Sequence, residues 1–363
     1  MADAYHLRVH QFHGLAPGPR LIVLGAVHGN ETAGVLATRR LIEELDAGRL
    51  VIERGCLTLV PVANPLAHAL GQRSGQRNLN RNLRPGAVPQ DFEDRIANRL
   101  CPLLEAHDVL LDLHSFQGEG EAFAMIGPED NRGTLEPFSL AQQEARLALH
   151  LGPRRLVEGW LRSYEQGVAR RRARAAAAGK TLDTDPSYGV GTTEYMRSRG
   201  GYAITLECGQ HADPRAPEVG LHAIRQALAL LGLADLELQP PPVRHELLRL
   251  DRVVDRLHAA DRFVREWASF DAVRGGEPIG VRHDGEVVAA RRWSHRVPQC
   301  ARGARVRVVL LRPAEPAATG LMGGASPRAP QANAAKVSSS RRTQRALSAS
   351  VAKLASRLLR ARR

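Results

Sequence analysis

Four short apolar runs, each handing the chain over to polar residues, constrain the fold more than any other feature. They are Leu21-Ile22-Val23-Leu24-Gly25-Ala26-Val27, Cys56-Leu57-Thr58-Leu59-Val60-Pro61-Val62, Asp108-Val109-Leu110-Leu111-Asp112-Leu113 and Tyr202-Ala203-Ile204-Thr205-Leu206. Continuous apolar runs of this length, bounded by turn residues, read as buried strands. The segments between them carry helical spacing: Thr32 to Leu45 places Val35, Leu36, Ile42 and Leu45 on one side, and Ile96 to Leu104 and Val219 to Leu233 repeat the pattern. Strands alternating with helices predict an α/β domain with a mixed, mainly parallel sheet flanked by helices. In such sheets ligands collect outside the carboxyl ends of the strands.

Chemistry-bearing residues fall at those ends. The first run releases His28-Gly29-Asn30-Glu31, and the second leads through Asn64-Pro65 to the polar loop Arg73 to Asn82. The third delivers His114, and the last runs straight into Glu207. An imidazole and a carboxylate three residues apart at a helix start can converge on one point, and zinc accepts both donors. His28, Glu31 and His114 form a His₂Glu set that leaves a coordination position open, as a hydrolytic zinc site requires. Glu207 is placed as the general base, passing a proton from water to the leaving amine. A guanidinium is needed where charge develops on the attacked carbonyl oxygen, and it is also the natural grip for a substrate carboxylate. The loop with Arg73, Asn80 and Arg81 supplies both. Taken singly, each of these residues reads as an ordinary polar group at a strand end or on a loop, and it is the set that points to catalysis.

The rest of the chain divides around this core. His6 to His10 alternates like an edge strand, and Glu136 to Lys180 reads as helical with no strand signal. Within it Arg170-Arg171-Arg172-Ala173-Arg174 reads as a solvated helix face. Gln239-Pro240-Pro241-Pro242 marks a boundary. Three segments follow from these signals: a catalytic domain over 1–239, a small β-rich domain over 243–312, and a disordered Arg-rich tail over 313–363. The β-rich domain includes an Asp284-Gly285 hairpin between Gly280 and Val288 and a last strand from Ala304 to Leu311. In the tail, Leu347, Val351, Leu354 and Leu358 could share one face of a basic helix. The net charge of +13 suggests a nucleic-acid partner, yet ten basic residues against the single acid Glu315 lie in that tail, which leaves +4 for residues 1–312. No run approaches the roughly 18 apolar residues of a membrane span, and the N-terminus has no signal-peptide pattern. Cys56, Cys101, Cys208 and Cys300 form no paired motif, which fits a reducing, cytoplasmic setting.

As an ordered set these motifs resemble the succinylglutamate desuccinylase/aspartoacylase family, a branch of the zinc carboxypeptidase-like superfamily. The resemblance rests on His28-Gly29-Asn30-Glu31, Asn64-Pro65-Leu66-Ala67, Arg73 with Asn80-Arg81, Asp112-Leu113-His114, and Thr205-Leu206-Glu207-Cys208-Gly209. It implies one zinc ion held by His28, Glu31 and His114, with Glu207 as base and Arg73 polarising the scissile carbonyl. It further implies that Asn80 and Arg81 clamp the α-carboxylate, that Arg197 binds substrate ten residues before Glu207, and that the β-rich domain limits substrate size. Asn78 stands where the family often has Asp, Ser115-Phe116-Gln117 departs from its two best-known branches, and no tyrosine follows Tyr202. His68, His107 and His211 are read as structural, although His211, four residues after Glu207, is placed where it could line the site. The expected activity is zinc-dependent hydrolysis of the amide bond of an N-acyl amino acid or a related small acidic amide. A carboxypeptidase or peptidoglycan-type peptidase stays open as an alternative, as does a tail-mediated binding protein. A homo-oligomer is compatible with all three.

Overall fold

The computed structural model describes residues 6–179, 181, 185–290, 306–312 and 358–359. Its first half runs β1 (His10–His13), β2 (Ala16–Leu24), α1 (Ala33–Asp46), β3 (Arg54–Val60), α2 (Pro65–Ala69), α3 (Phe92–Glu105) and β4 (Val109–Phe116). It continues through β5 (Phe123–Met125), α4 (Ala141–His150), β6 (Arg155–Glu158), α5 (Trp160–Ala177), α6 (Thr192–Ser198), β7 (Tyr202–Gln210) and α7 (Ala216–Leu231). Then come β8 (Glu246–Asp255), β9 (Arg262–Phe263), β10 (Pro278–Val281), β11 (Val287–Ala289), β12 (Val306–Arg312) and β13 (Leu358–Leu359).

Among the described residues the main sheet has ten strands in the order β1-β3-β2-β4-β7-β5-β6-β8-β12-β13. Its centre, β3-β2-β4-β7, is parallel throughout. Alternation along the strands explains the layers. In β2, Leu21 and Val23 point to one face, where α1 and α7 bury Leu41, Ile42, Ile224 and Leu228 against them. Ile22 and Leu24 point to the other, against Ile96, Leu100 and Leu104 of α3 and Met196 of α6. Side chains two apart share a face, so a run apolar at every position is covered on both.

Several expectations shift. The edge strand forms at His10–His13, a few residues later than its alternation suggests. The stretch 136–180 is not wholly helical: β6 lies between α4 and α5, its strand signal reduced to Leu156 and Val157. The arginines of α5 are not merely solvated, because Arg170 donates to the Val253 carbonyl (2.8 Å) and Arg171 and Arg174 pair with Asp255. The Gln239–Pro242 segment is a connection within the main sheet, since β8 pairs in parallel with β6 beyond it. A separate three-stranded sheet, β11-β10-β9, contains the expected hairpin, with Gly285 at φ 90° in its turn. Of the tail, only Leu358–Leu359 is described; the candidate helix through Leu347, Val351 and Leu354 lies outside the described residues. Among the described residues no helix is long and apolar enough to cross a membrane.

Candidate metal centre

The turn after β2 is built for close approach. Ala26 takes φ 46°, a conformation that costs an L residue energy and that clusters at functional sites. At Gly29 a Cβ would fall 2.0 Å from the Ala67 backbone, so only glycine lets α2 pack against the loop. Residues His28 and Glu31 therefore leave the strand end together, both 2 % exposed. From β4, which pairs directly with β2 in the sheet, comes His114, 3 % exposed.

Among the described residues one group has metal-ligand composition and spacing: His28, Glu31 and His114, whose donor atoms all lie within 4.8 Å of one another. His28 Nδ1 is 3.0 Å from His114 Nδ1 and 3.1 Å from Glu31 Oε1, and His114 Nδ1 is 2.8 Å from Glu31 Oε2. The far nitrogens each face a second residue. His28 Nε2 meets Asn78 Oδ1 at 3.1 Å, and His114 Nε2 lies 2.9 Å from Asp112 Oδ2. Partners of this kind fix the tautomer and leave Nδ1 as the donor toward a cation. The arrangement continues as a ring. Asn80 N donates to Asn78 Oδ1 (2.9 Å), Thr192 N donates to Asn80 Oδ1 (2.9 Å), and the Thr192 hydroxyl donates to Asp112 Oδ2, which returns to His114.

Electrostatics follow from burial among few charges. Burial first, and then the Arg73 cation, push His28 down to about 3, so its ring is neutral, as a ligand must be. Burial also opposes charge on His114, but the carboxylates of Asp112 and Glu31 outweigh it and raise its pKa. For Glu31, burial is outweighed by the two imidazoles, which hold the carboxyl well below its usual range. Glu207 is the Cα partner of His114 in the β4–β7 ladder, which puts the two side chains on one face. Burial, then the nearby Glu31, push Glu207 up to about 8 against the pull of His114 and Arg73. Its Oε2 is buried with no hydrogen-bond partner, a costly state for a carboxyl group without a task.

The remaining expected residues separate into two groups. Arg73 joins the centre, with Nη1 2.7 Å from Glu31 Oε1. Asn80 belongs to the ring, and Arg81, 7 % exposed, lies next to it on the same loop. Arg197 does not join them. It donates to Glu144 (2.8 Å), Glu136 (3.0 Å) and the Ala203 carbonyl (2.7 Å), at the amino end of β7. Its charge is consumed there, which corrects the expectation that it binds substrate. His107 is structural, bound to Thr58 Oγ1 at 2.6 Å, and His68 holds the Gly29 carbonyl at 3.0 Å. His211 meets Ser115 Oγ at 2.8 Å, beside the centre. Burial raises the Cys208 thiol, consistent with packing and not with nucleophilic chemistry. Asp112 was the most readable of the overlooked groups. Two positions before His114 on one strand, it must share that residue's face.

The fold and site define an α/β protein with a buried His₂Glu centre and an unpartnered carboxyl oxygen at the carboxyl ends of parallel strands. The Succinylglutamate desuccinylase/Aspartoacylase catalytic domain family matches residues 17–230, more than half of the chain, and the chain belongs to that family. It is a family of deacylating hydrolases. Solved structures share the fold at low identity. The product-bound ectoine utilization protein EutE (DoeB) from Ruegeria pomeroyi is 20% identical, covering 78% of this chain and 80% of its own, with a TM-score of 0.56. A succinylglutamate desuccinylase/aspartoacylase from Rhodobacter sphaeroides is 16% identical, with coverage of 78% and 80% and a TM-score of 0.57. Succinylglutamate desuccinylase from Vibrio cholerae is 19% identical, with coverage of 78% of each chain and a TM-score of 0.56. Among curated protein sequences none matches this chain.

Proposed function

We propose that this chain is a zinc-dependent amidohydrolase that cleaves an N-acyl amino acid or a related small acidic amide. The observation that carries the reading is Glu207 Oε2, buried and unpartnered, on the face that also presents the His28–Glu31–His114 donors. Two imidazoles and a carboxylate, all buried and all oriented from behind, fit a single zinc ion. When bound, zinc supplies Lewis acidity that polarises a carbonyl and lowers the pKa of water.

The chain's own residues do the rest. Glu207 removes a proton from the attacking water and returns it to the leaving amine, and a pKa raised toward neutrality suits a group that must do both. Arg73, within hydrogen-bond reach of Glu31, places its guanidinium where charge gathers on the carbonyl oxygen. Asn80 and Arg81 receive the carboxylate of the amino-acid half. The β9–β11 part limits how large a substrate enters: Ser269 N donates to the Glu119 carbonyl (2.7 Å), and Phe270 packs edge-on against Phe123, so this part abuts the loop following β4.

The test is amine release from a panel of N-acyl amino acids and short peptides, with chelator and then with added zinc. Release that stops and returns supports the reading, and the preferred substrate decides between deacylase and peptidase. A zinc-loaded protein that releases no amine from any of them would overturn it.

A further inference from the structure

The Glu31 carboxylate is held at both oxygens, by partners of different kinds. Oε1 lies 2.7 Å from Arg73 Nη1, a long side chain that the proposed reaction also sends to the substrate carbonyl. Oε2 accepts from the backbone N–H of Ser115 at 3.2 Å, in a buried setting. A backbone amide has no rotamers and no second task, so the Ser115 tie persists when Arg73 turns to substrate. Its direction depends on where the end of β4 is fixed. The pairing of β2 with β4 stops at Leu24 and Asp112, which leaves Ser115 beyond that ladder.

The fixing comes from β7. His114 pairs with Glu207 and Phe116 with Gln210, so two steps along β4 answer three along β7. Gly209 stands within this bulge at φ 130°, a conformation open to glycine and rarely to other residues. Past the bulge, Gln210 and His211 reach across to β4. Gln210 Nε2 donates to the Gln117 carbonyl (3.2 Å), His211 N donates to the Phe116 carbonyl (2.8 Å), and His211 Nδ1 meets Ser115 Oγ (2.8 Å). Ser115 is 2 % exposed, and a hydroxyl so buried needs a partner; among the described residues that partner is His211. Burial lowers the His211 pKa against the pull of Glu31, so an uncharged ring makes the tie and adds no positive charge beside the centre.

We propose that His211 is a positioning residue: by holding Ser115 Oγ it fixes the strand end whose amide orients the Glu31 carboxylate toward the metal. On the reading of His28, Glu31 and His114 as a zinc site, His211 thereby does for the carboxylate what Asn78 and Asp112 do for the imidazoles. Groups that back a metal ligand directly are worth about 10- to 100-fold in metal affinity. His211 acts through one intervening residue, which puts its effect at the lower end of that span.

The experiment measures zinc affinity of the full-length protein by competition with a chelating dye. It compares wild type with His211→Leu, His211→Asn, Ser115→Ala and the double variant Ser115→Ala/His211→Leu. His211→Leu and Ser115→Ala should each weaken zinc by about tenfold. The double variant should lose no more than either alone, because both changes remove one contact. His211→Asn keeps a hydrogen-bonding atom near the place of Nδ1 and should restore most of the affinity. Amide exchange at Ser115 in the metal-free protein reads the same tie without zinc: it should quicken in His211→Leu and stay slow in His211→Asn. Equal exchange in all of these proteins, or losses of affinity that multiply in the double variant, overturns the proposal. A purely structural histidine would lower the Tm of the metal-free protein and leave the zinc affinity of its folded fraction as in wild type, which overturns it too. If His211→Leu does not fold, Ser115→Ala, which keeps the amide and loses only the hydroxyl, carries the comparison. Wild type that binds no zinc ends the metal reading and this proposal together, whereas zinc bound equally by wild type and every variant sinks the proposal alone.

Discussion

At the amino ends of β4 and β7 an arginine is enclosed by acids, and at the carboxyl ends of the same strands two imidazoles and two acids face one another. Both clusters are buried, and both contain a carboxyl pushed upward chiefly by burial, Glu136 to about 7 and Glu207 to about 8. They differ in closure. Arg197 meets Glu144, Glu136 and the Ala203 carbonyl, and Glu144 also accepts from Ala203 N and Gly127 N, so donors and acceptors answer one another. In the other cluster Glu207 Oε2 has no partner, and three donor atoms converge on a common point. A buried charged group that is satisfied by its neighbours serves the fold; one left in need of a cation, a water or a substrate serves chemistry.

The largest expected contrast comes from exchanging a carboxyl for an amide in the open cluster. Glu207→Gln should lower kcat by about 10²- to 10⁴-fold, the usual worth of a general base, while the Tm of the metal-free protein does not fall. A loss of kcat smaller than tenfold would remove Glu207 from that role. The closed cluster should respond oppositely. Arg197→Met strands buried acids and should cost about 3–5 kcal/mol in denaturant unfolding, with kcat of the folded fraction near wild type. A collapse of kcat/KM at unchanged stability would instead put Arg197 in the site.

Smaller effects sharpen the picture. Asp112→Asn and Asn78→Ala remove the groups behind the imidazoles, and each should weaken zinc by about 10- to 100-fold in a competition titration with a chelating dye. Unchanged affinity would mean that the imidazoles orient themselves. The smallest effect is a pH dependence. A carboxyl raised in the folded state favours the protonated form, so its contribution to stability is complete below about 4.5 and is lost as pH rises through about 8. The Tm of chelator-treated protein should therefore decline across that window, and Glu207→Gln should flatten its share of the decline while Glu136 retains its own. Identical pH profiles for the two proteins would contradict the assignment.

The candidate ligands were legible because each sits where an apolar run stops, and strand ends are readable without knowing which strands pair. Arg197 was not. Ten residues before Glu207 looks near in sequence, but β7 runs from Ala203 at one end of the sheet to Glu207 toward the other, about 13 Å at the usual rise per strand residue. The strand three places beyond β7, β8, was hidden for a different reason. β8 is as rich in charge as in apolar residues, and its place beside β6 becomes plain only when Arg249 meets Glu158 and Glu246 meets Arg155. Charge that is neutralised across strands reads as surface when each strand is taken alone.

Thr192 and Arg197 are the two ends of one short helix. α6 spans Thr192–Ser198, and at about 1.5 Å per residue it bridges roughly 10 Å between the ring behind the imidazoles and the enclosed arginine. It is a strut. Its head fixes how far apart the Asn80 side and the Asp112 side of the frame can stand, and its foot is bolted among Glu144, Glu136 and Glu194. The satisfied cluster and the open one are thus joined by a single short rigid element, tied to its surroundings at both ends.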